Sequence, residues 1–233
     1  MIGSTADLRA YVARRVEDAA ITAGLLTIEG AAPLQGDPAG LDLLVDAGYR
    51  MLGLTHFVDN AFAGSSHGLD KGGLTAAGRD VVRRAEERSV LIDLAHASSA
   101  TVDDVLAVAT RPVVVSHGGL RSAHESVRNL PDEQVRGIAA AGGLIGVGFW
   151  PAVTGGDDVA SIARSIVRAI EVAGVEHVAL GSDFDGAVPV PFDATGMPLL
   201  TDALLAAGLP AEAIAAVMGG NAFRMLEATL PAG

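Results

Sequence analysis

Short apolar runs alternate with amphipathic, alanine-rich stretches along this chain, and that alternation constrains the fold more than any other feature. The runs are Leu25–Glu29, Met51–His56, Val90–His96, Val113–His117, Leu144–Phe149 and Val178–Asp183. Most are rich in Val, Ile and Leu throughout, as strands buried on both faces of a parallel sheet are. The stretches between them space apolar residues for helices, as in Leu41, Leu44 and Val45 and again in Val159, Ile162, Ile166, Val167 and Ile170. Thr101 with Asp104 resembles a capping box, Pro131 before Asp132 and Glu133 opens a helix, and Gly174 closes one. Strands alternating with helices predict an α/β fold with right-handed crossovers. No segment repeats and no linker divides the 233 residues, so a single domain is expected. An open doubly wound sheet and a (β/α) barrel both fit. The open sheet would be favoured by a glycine-rich nucleotide loop, and the sequence has no G-x-G-x-x-G.

Composition narrows the chemistry. Half the residues are hydrophobic and 19% are charged, which excludes a disordered chain. A net charge of −12 argues against a nucleic-acid partner. With no cysteine, neither disulfides nor thiolate ligands are available, so any metal must be held by His, Asp and Glu, which suits zinc or manganese. The first residues include Asp7 and Arg9 and do not read as a signal peptide, so a cytoplasmic location is expected. Gly137–Gly156 carries no charge over a length that could cross a bilayer. Its glycines and Pro151 read instead as a helix end (Ile138–Ala141), a Gly142-Gly143 stop, a buried strand (Leu144–Phe149) and a loop. No membrane partner is expected.

The ends of the runs carry the chemistry. Glu29, His56, His96, His117 and Asp183 each occupy the last position of a separate run. In a parallel barrel the C-terminal strand ends share one face, so these groups are expected to converge there as a hard-to-borderline metal site. His67, His124 and His177 end no run and read as loop or surface residues. Strand alternation turns Asp93 away from His96, toward a buried structural hydrogen bond.

These residues sit in a recognisable series. Thr27-Ile28-Glu29-Gly30 is followed by Leu54-Thr55-His56, by Gly73-Leu74-Thr75 with Gly78, and by Ile92-Asp93-Leu94-Ala95-His96. Val115-Ser116-His117, Arg128-Asn129, Gly181-Ser182-Asp183-Phe184-Asp185-Gly186, Gly220-Asn221 and Arg224 complete it. In order and spacing, over nearly the whole chain, the series resembles the membrane (renal) dipeptidase family of zinc peptidases, M19. The resemblance implies a (β/α)8 barrel, two zinc ions bridged by a glutamate, and hydrolysis of dipeptides. It implies that Glu29 is the bridging carboxylate and that His96 and His117 are the imidazoles of one zinc. By the same resemblance His56 polarises the scissile carbonyl or steadies the oxyanion, and Arg128 grips the substrate carboxylate. Asp183 corresponds to the acid/base that takes a proton from the attacking water and delivers it to the leaving amine.

The family pattern also opens with a strand ending in His-x-Asp, which supplies ligands of the other zinc, and a second strand follows. This sequence begins with a helical stretch (Ala6–Ala20) and has no histidine before His56. The expectation is therefore a TIM-barrel-like metal-dependent hydrolase lacking the first two strands, with one well-supplied zinc site and impaired dipeptidase activity. Unpaired edges at Leu25–Glu29 and Val178–Asp183 predict association into a homo-oligomer. Two rival functions stand beside this one. One is a catalytically silent relative acting as a binding or scaffold protein, and the other is an amidohydrolase-type enzyme cleaving a lactone, ester or phosphoester.

Overall fold

A computed structural model describes all residues from Met1 to Gly233. The chain falls into two compact units, residues 1–111 with 223–233, and residues 112–222. Every apolar run of the sequence contributes a strand, and the strand pairs within each unit are parallel.

In the first unit, helix α1 (Thr5–Glu17) precedes strand β1 (Leu26–Ile28), then α2 (Gly40–Asp46), β2 (Tyr49–Gly53), α3 (Ala76–Glu87), β3 (Leu91–Asp93) and α4 (Ser99–Val108). β2 pairs with both β1 and β3, with Ile28 level with Leu52 and Leu52 level with Ile92. β3 is buried along its length and Leu52 of β2 completely, as is Leu54 just beyond it, whereas Leu26 and Ile28 of β1 are half-buried. α3 shows why its segment is helical. Thr75 caps it by accepting from the Gly78 amide, and Val81, Val82 and Ala85 bury one face.

The second unit runs β4 (Val114–Leu120), β5 (Asn129–Leu130), α5 (Asp132–Ala140), β6 (Leu144–Val147), α6 (Pro151–Thr154), α7 (Val159–Ala173), β7 (Val178–Leu180), α8 (Met197–Ala206) and α9 (Ala211–Ala215). β4 pairs with β5 and β6, and β6 with β7. α7 buries Ile162, Ile166 and Ala169, is capped by Asp158, and ends at Gly174, whose φ of 89° lies in the left-handed region. α10 (Asn221–Thr229) ends the helical series. Its Phe223 and Leu226 pack against the buried cluster of Ile2, Leu8 and Leu230 in the first unit.

Several local expectations need correction. The ladders are shorter than the apolar runs, so His56, His96 and Asp183 stand three residues past the last paired residue, while His117 lies inside β4. Backbone turns, with His96 and Asp183 at φ of 63° and 59°, carry those residues away from the sheet. The cap of α4 is Ser98, whose hydroxyl accepts from the Thr101 amide, and Asp104 is drawn instead to the Leu74 amide. The segment after Phe149 holds the short helix α6 rather than only a loop. The β1 edge is not bare at Leu25, since Ile2 bridges to it in parallel and the Ile2 amide donates to Gly24. Gly137–Gly156 is divided among α5, β6 and α6, and no helix is long and apolar enough to cross a membrane.

Candidate metal centre

The register of the first unit determines which side chains meet. Ile28, Leu52 and Ile92 are level, and His56 and His96 each follow their level residue by the same interval. Glu29 leaves β1 directly. Its Oε1 lies 2.9 Å from His96 Nε2 and 3.9 Å from His56 Nε2. The two imidazole rings meet edge to face, 4.5 Å between centroids. One ligand atom from each of the three residues lies within 4.8 Å of the others.

This donor set fits a divalent cation. Two donors on one tetrahedral zinc, each at 2.0–2.2 Å, stand about 3.4 Å apart, and the two measured separations bracket that value. An oxygen with two imidazole nitrogens is also the chemistry that zinc and similar borderline ions prefer. His96 is buried and Glu29 and His56 are each 43% exposed, so the cluster has a protected back and an open front.

A loop, residues 57–75, folds around this cluster. Asn60 donates its side-chain amide to Leu54 O and accepts from the Phe62 and Ala63 amides. Asp59 accepts from the Ser65 and Asp70 amides at 2.7 and 2.8 Å. Those backbone bonds, Ser65 foremost, hold its carboxyl below the usual carboxylate range. Phe57 and His67 complete the surroundings. The Phe57 ring contacts those of His56, His96 and His67, and the His67 centroid lies 6.2 Å from that of His96. His67 is an exposed loop residue, as expected, but its place beside the cluster was not legible from the sequence. The glycines of the loop were the available signal. A Cβ at Gly64 would stand 2.1 Å from Gly72 O, so the chain closes on itself only without one.

The other expected site residues lie in the second unit. His117 is buried in β4, its Nδ1 is 2.9 Å from Ser116 Oγ, and its carbonyl accepts from Arg128 at 3.2 Å. The Arg128 guanidinium lies 5.7 Å from the centre of the Trp150 ring, a cation–π arrangement that holds it in place. Asp183 follows β7 after Gly181, where the backbone passes close to His117. A Cβ at Gly181 would be 2.8 Å from His117 Cα. Of the remaining polar residues, Asp93 is buried and accepts from the Ala95 amide, the structural role expected of it. His177 Nδ1 is held at Gly143 O.

The family model described as membrane dipeptidase (peptidase family M19) matches residues 8–231. The chain belongs to this family. Among relatives, this membrane dipeptidase family chain is 32% identical over 212 residues to the dipeptidase verJ of Clonostachys rogersoniana, covering 88% of this chain and 55% of that one. It is 31% identical to an uncharacterised Klebsiella pneumoniae protein from the pqqA 5′ region, with 91% and 84% covered. A solved metallopeptidase of Rhodobacter sphaeroides, bound to a phosphinate mimic of the dipeptide L-Ala-D-Ala, superposes with a TM-score of 0.87 at 28% identity. The superposition covers 98% of this chain and 68% of that one. The fold is thus the parallel, TIM-barrel-like α/β fold of the M19 metallopeptidases.

Proposed function

We propose that this chain is a zinc-dependent dipeptidase. What carries the reading is the Glu29–His56–His96 cluster, a carboxylate and two imidazoles of suitable spacing, in a chain of this family. Glu29 and His96 would hold the metal, and the family resemblance assigns His117 as a further imidazole. The bound cation would lower the pKa of a water and polarise the scissile carbonyl. His56, half-exposed at the front of the cluster, would donate from its ring to the substrate carbonyl oxygen rather than bind the metal, although its spacing from Glu29 would also suit a ligand. Arg128 offers a two-pronged guanidinium to the terminal carboxylate, which limits the substrate to very short peptides. Asp183 takes the proton from the attacking water at its carboxylate oxygen and returns it to the leaving amine nitrogen.

The decisive assay gives the purified chain free dipeptides, L-Ala-D-Ala among them, with and without zinc after chelator dialysis. Slow zinc-dependent release of amino acids, abolished by Asp183→Asn, is the expected result, slow because only one zinc site is well supplied with ligands. No turnover of any dipeptide by metal-loaded chain defeats the reading, and metal-dependent cleavage of a lactone or ester instead would transfer the chain to a different hydrolase chemistry.

A further inference from the structure

We infer that Ser65 is a positioning residue for the metal centre, holding the backbone of His56 directly and that of His96 through the adjoining Ser66 amide. The inference rests on the metal-site reading above and extends it to a residue to which that reading gives no role. His56 and His96 stand beyond their strands, where no ladder bond restrains them. His96 also adopts φ of 63°, a conformation strained for a residue with a Cβ, which persists only when its surroundings enforce it.

The dipeptide Ser65-Ser66 supplies that enforcement. The Ser65 hydroxyl donates to the His56 carbonyl and accepts from the His67 amide at 3.1 Å. The Ser66 amide donates to the His96 carbonyl at 2.7 Å. Ser65 also bridges antiparallel to Ala97, the residue after His96. One short segment therefore holds the carbonyl of each imidazole residue.

The segment is itself anchored on both sides. The Ser65 amide donates to Asp59. The carbonyl of Gly64, the residue before Ser65, accepts from the Ser98 amide at 2.9 Å and from the Thr101 hydroxyl at 2.9 Å, both at the start of α4. Ser65 is completely buried, so water cannot replace its hydroxyl in either bond. Groups that orient metal ligands without touching the metal typically set affinity by about 10–100-fold.

Cobalt(II) is the probe, because its visible absorption reports ligand geometry while calorimetry reports affinity. The full chain, metal-free and then titrated, is compared with Ser65→Ala, with Asp59→Asn and with Ser122→Ala, whose hydroxyl bonds Asp132 in the second unit. Ser65→Ala is expected to weaken cobalt binding by about 10–100-fold and to change the absorption band, with the metal-free Tm little altered. Asp59→Asn, which loosens the same dipeptide from a less buried position, should move both readouts the same way if Ser65→Ala does not fold. Ser122→Ala should match the unsubstituted chain. Unchanged cobalt affinity and absorption in folded Ser65→Ala overturn the inference, as does a fall in Tm with no change in binding. If the unsubstituted chain takes up no cobalt, the metal-site reading itself fails and Ser65 loses this role with it.

Discussion

His96 Nε2 stands 2.9 Å from Glu29 Oε1, although the two residues leave different strands and His96 arrives through a left-handed turn. His96 is buried and Glu29 is open to solvent, so the carboxylate is the accessible half of the pair. Replacing it with an amide keeps the shape and removes the negative charge that a cation needs. Zinc at a hundredfold excess over its dissociation constant should stabilise the unsubstituted chain by about 2.7 kcal/mol. In Glu29→Gln most of that stabilisation should disappear. Thermal unfolding with and without zinc checks this, and equal zinc-induced shifts in both proteins would remove Glu29 from the metal site.

Much of this cluster is legible in the sequence. Strands buried on both faces announce themselves as unbroken apolar runs, and the residues closing three such runs do meet in the first unit. Less legible was where the ladders end. Leu94 and Ala95 are as apolar as the strand before them, yet they already belong to the turn that delivers His96. Composition does not encode that turn. The cap of α4 was misplaced for a related reason, because a distant partner, the Leu74 amide, occupies Asp104. β5 escaped notice because two residues are too few to carry a period, and its Asn129 is held by side-chain bonds to Leu120, His124 and Val153. The order of residues 57–75 likewise depends on contacts with α4 that no local pattern displays.

Phe62 tests how far that loop belongs to the folded core. Its ring is completely buried, and its carbonyl accepts from the Thr75 amide at the start of α3. Truncation to alanine should cost about 3–5 kcal/mol, the range for a buried aromatic ring. Urea unfolding measures it. A loss below about 1 kcal/mol, typical of a surface change, would mean that the loop is not packed as described.

Asp42 provides a pH-dependent contribution remote from the metal centre. Its carboxylate accepts from Arg84, with Arg88 bonded alongside, and the Arg84 hydrogen bond foremost pulls its pKa below the ordinary value of 3.8. The folded state therefore resists protonation more than the unfolded chain does. The resulting stability is present above about pH 4 and is lost as pH falls through the folded value. Asp42→Asn should accordingly lower Tm near neutrality, and its deficit should shrink in acid. A deficit that stays constant from pH 7 to pH 3 would show that the ion pairs contribute nothing.

Gly181 offers a test of the second unit. Its amide donates to Val147 O at the end of β6, and the chain then turns so closely over β4 that no side chain fits. A Cβ there would lie 2.3 Å from Ser116 O and 2.8 Å from His117 Cα, and these are backbone atoms that cannot swing aside. Gly181→Ala must therefore displace the strand carrying His117, the turn leading to Asp183, or both. On the proposed mechanism His117 holds metal and Asp183 moves the proton, and a shift of about 1 Å in such groups can cost about 100-fold in rate. Gly208→Ala is the matched comparison. Gly208 has φ of 87° with open space around it, so alanine there is strained but collides with nothing. Gly208→Ala should lower Tm and leave kcat/KM intact, whereas Gly181→Ala should reduce kcat/KM by at least about 10-fold. Equal activity in the two variants would show that the passage beside His117 is looser than these distances require, and Asp183 would lose the rigid support that its role demands.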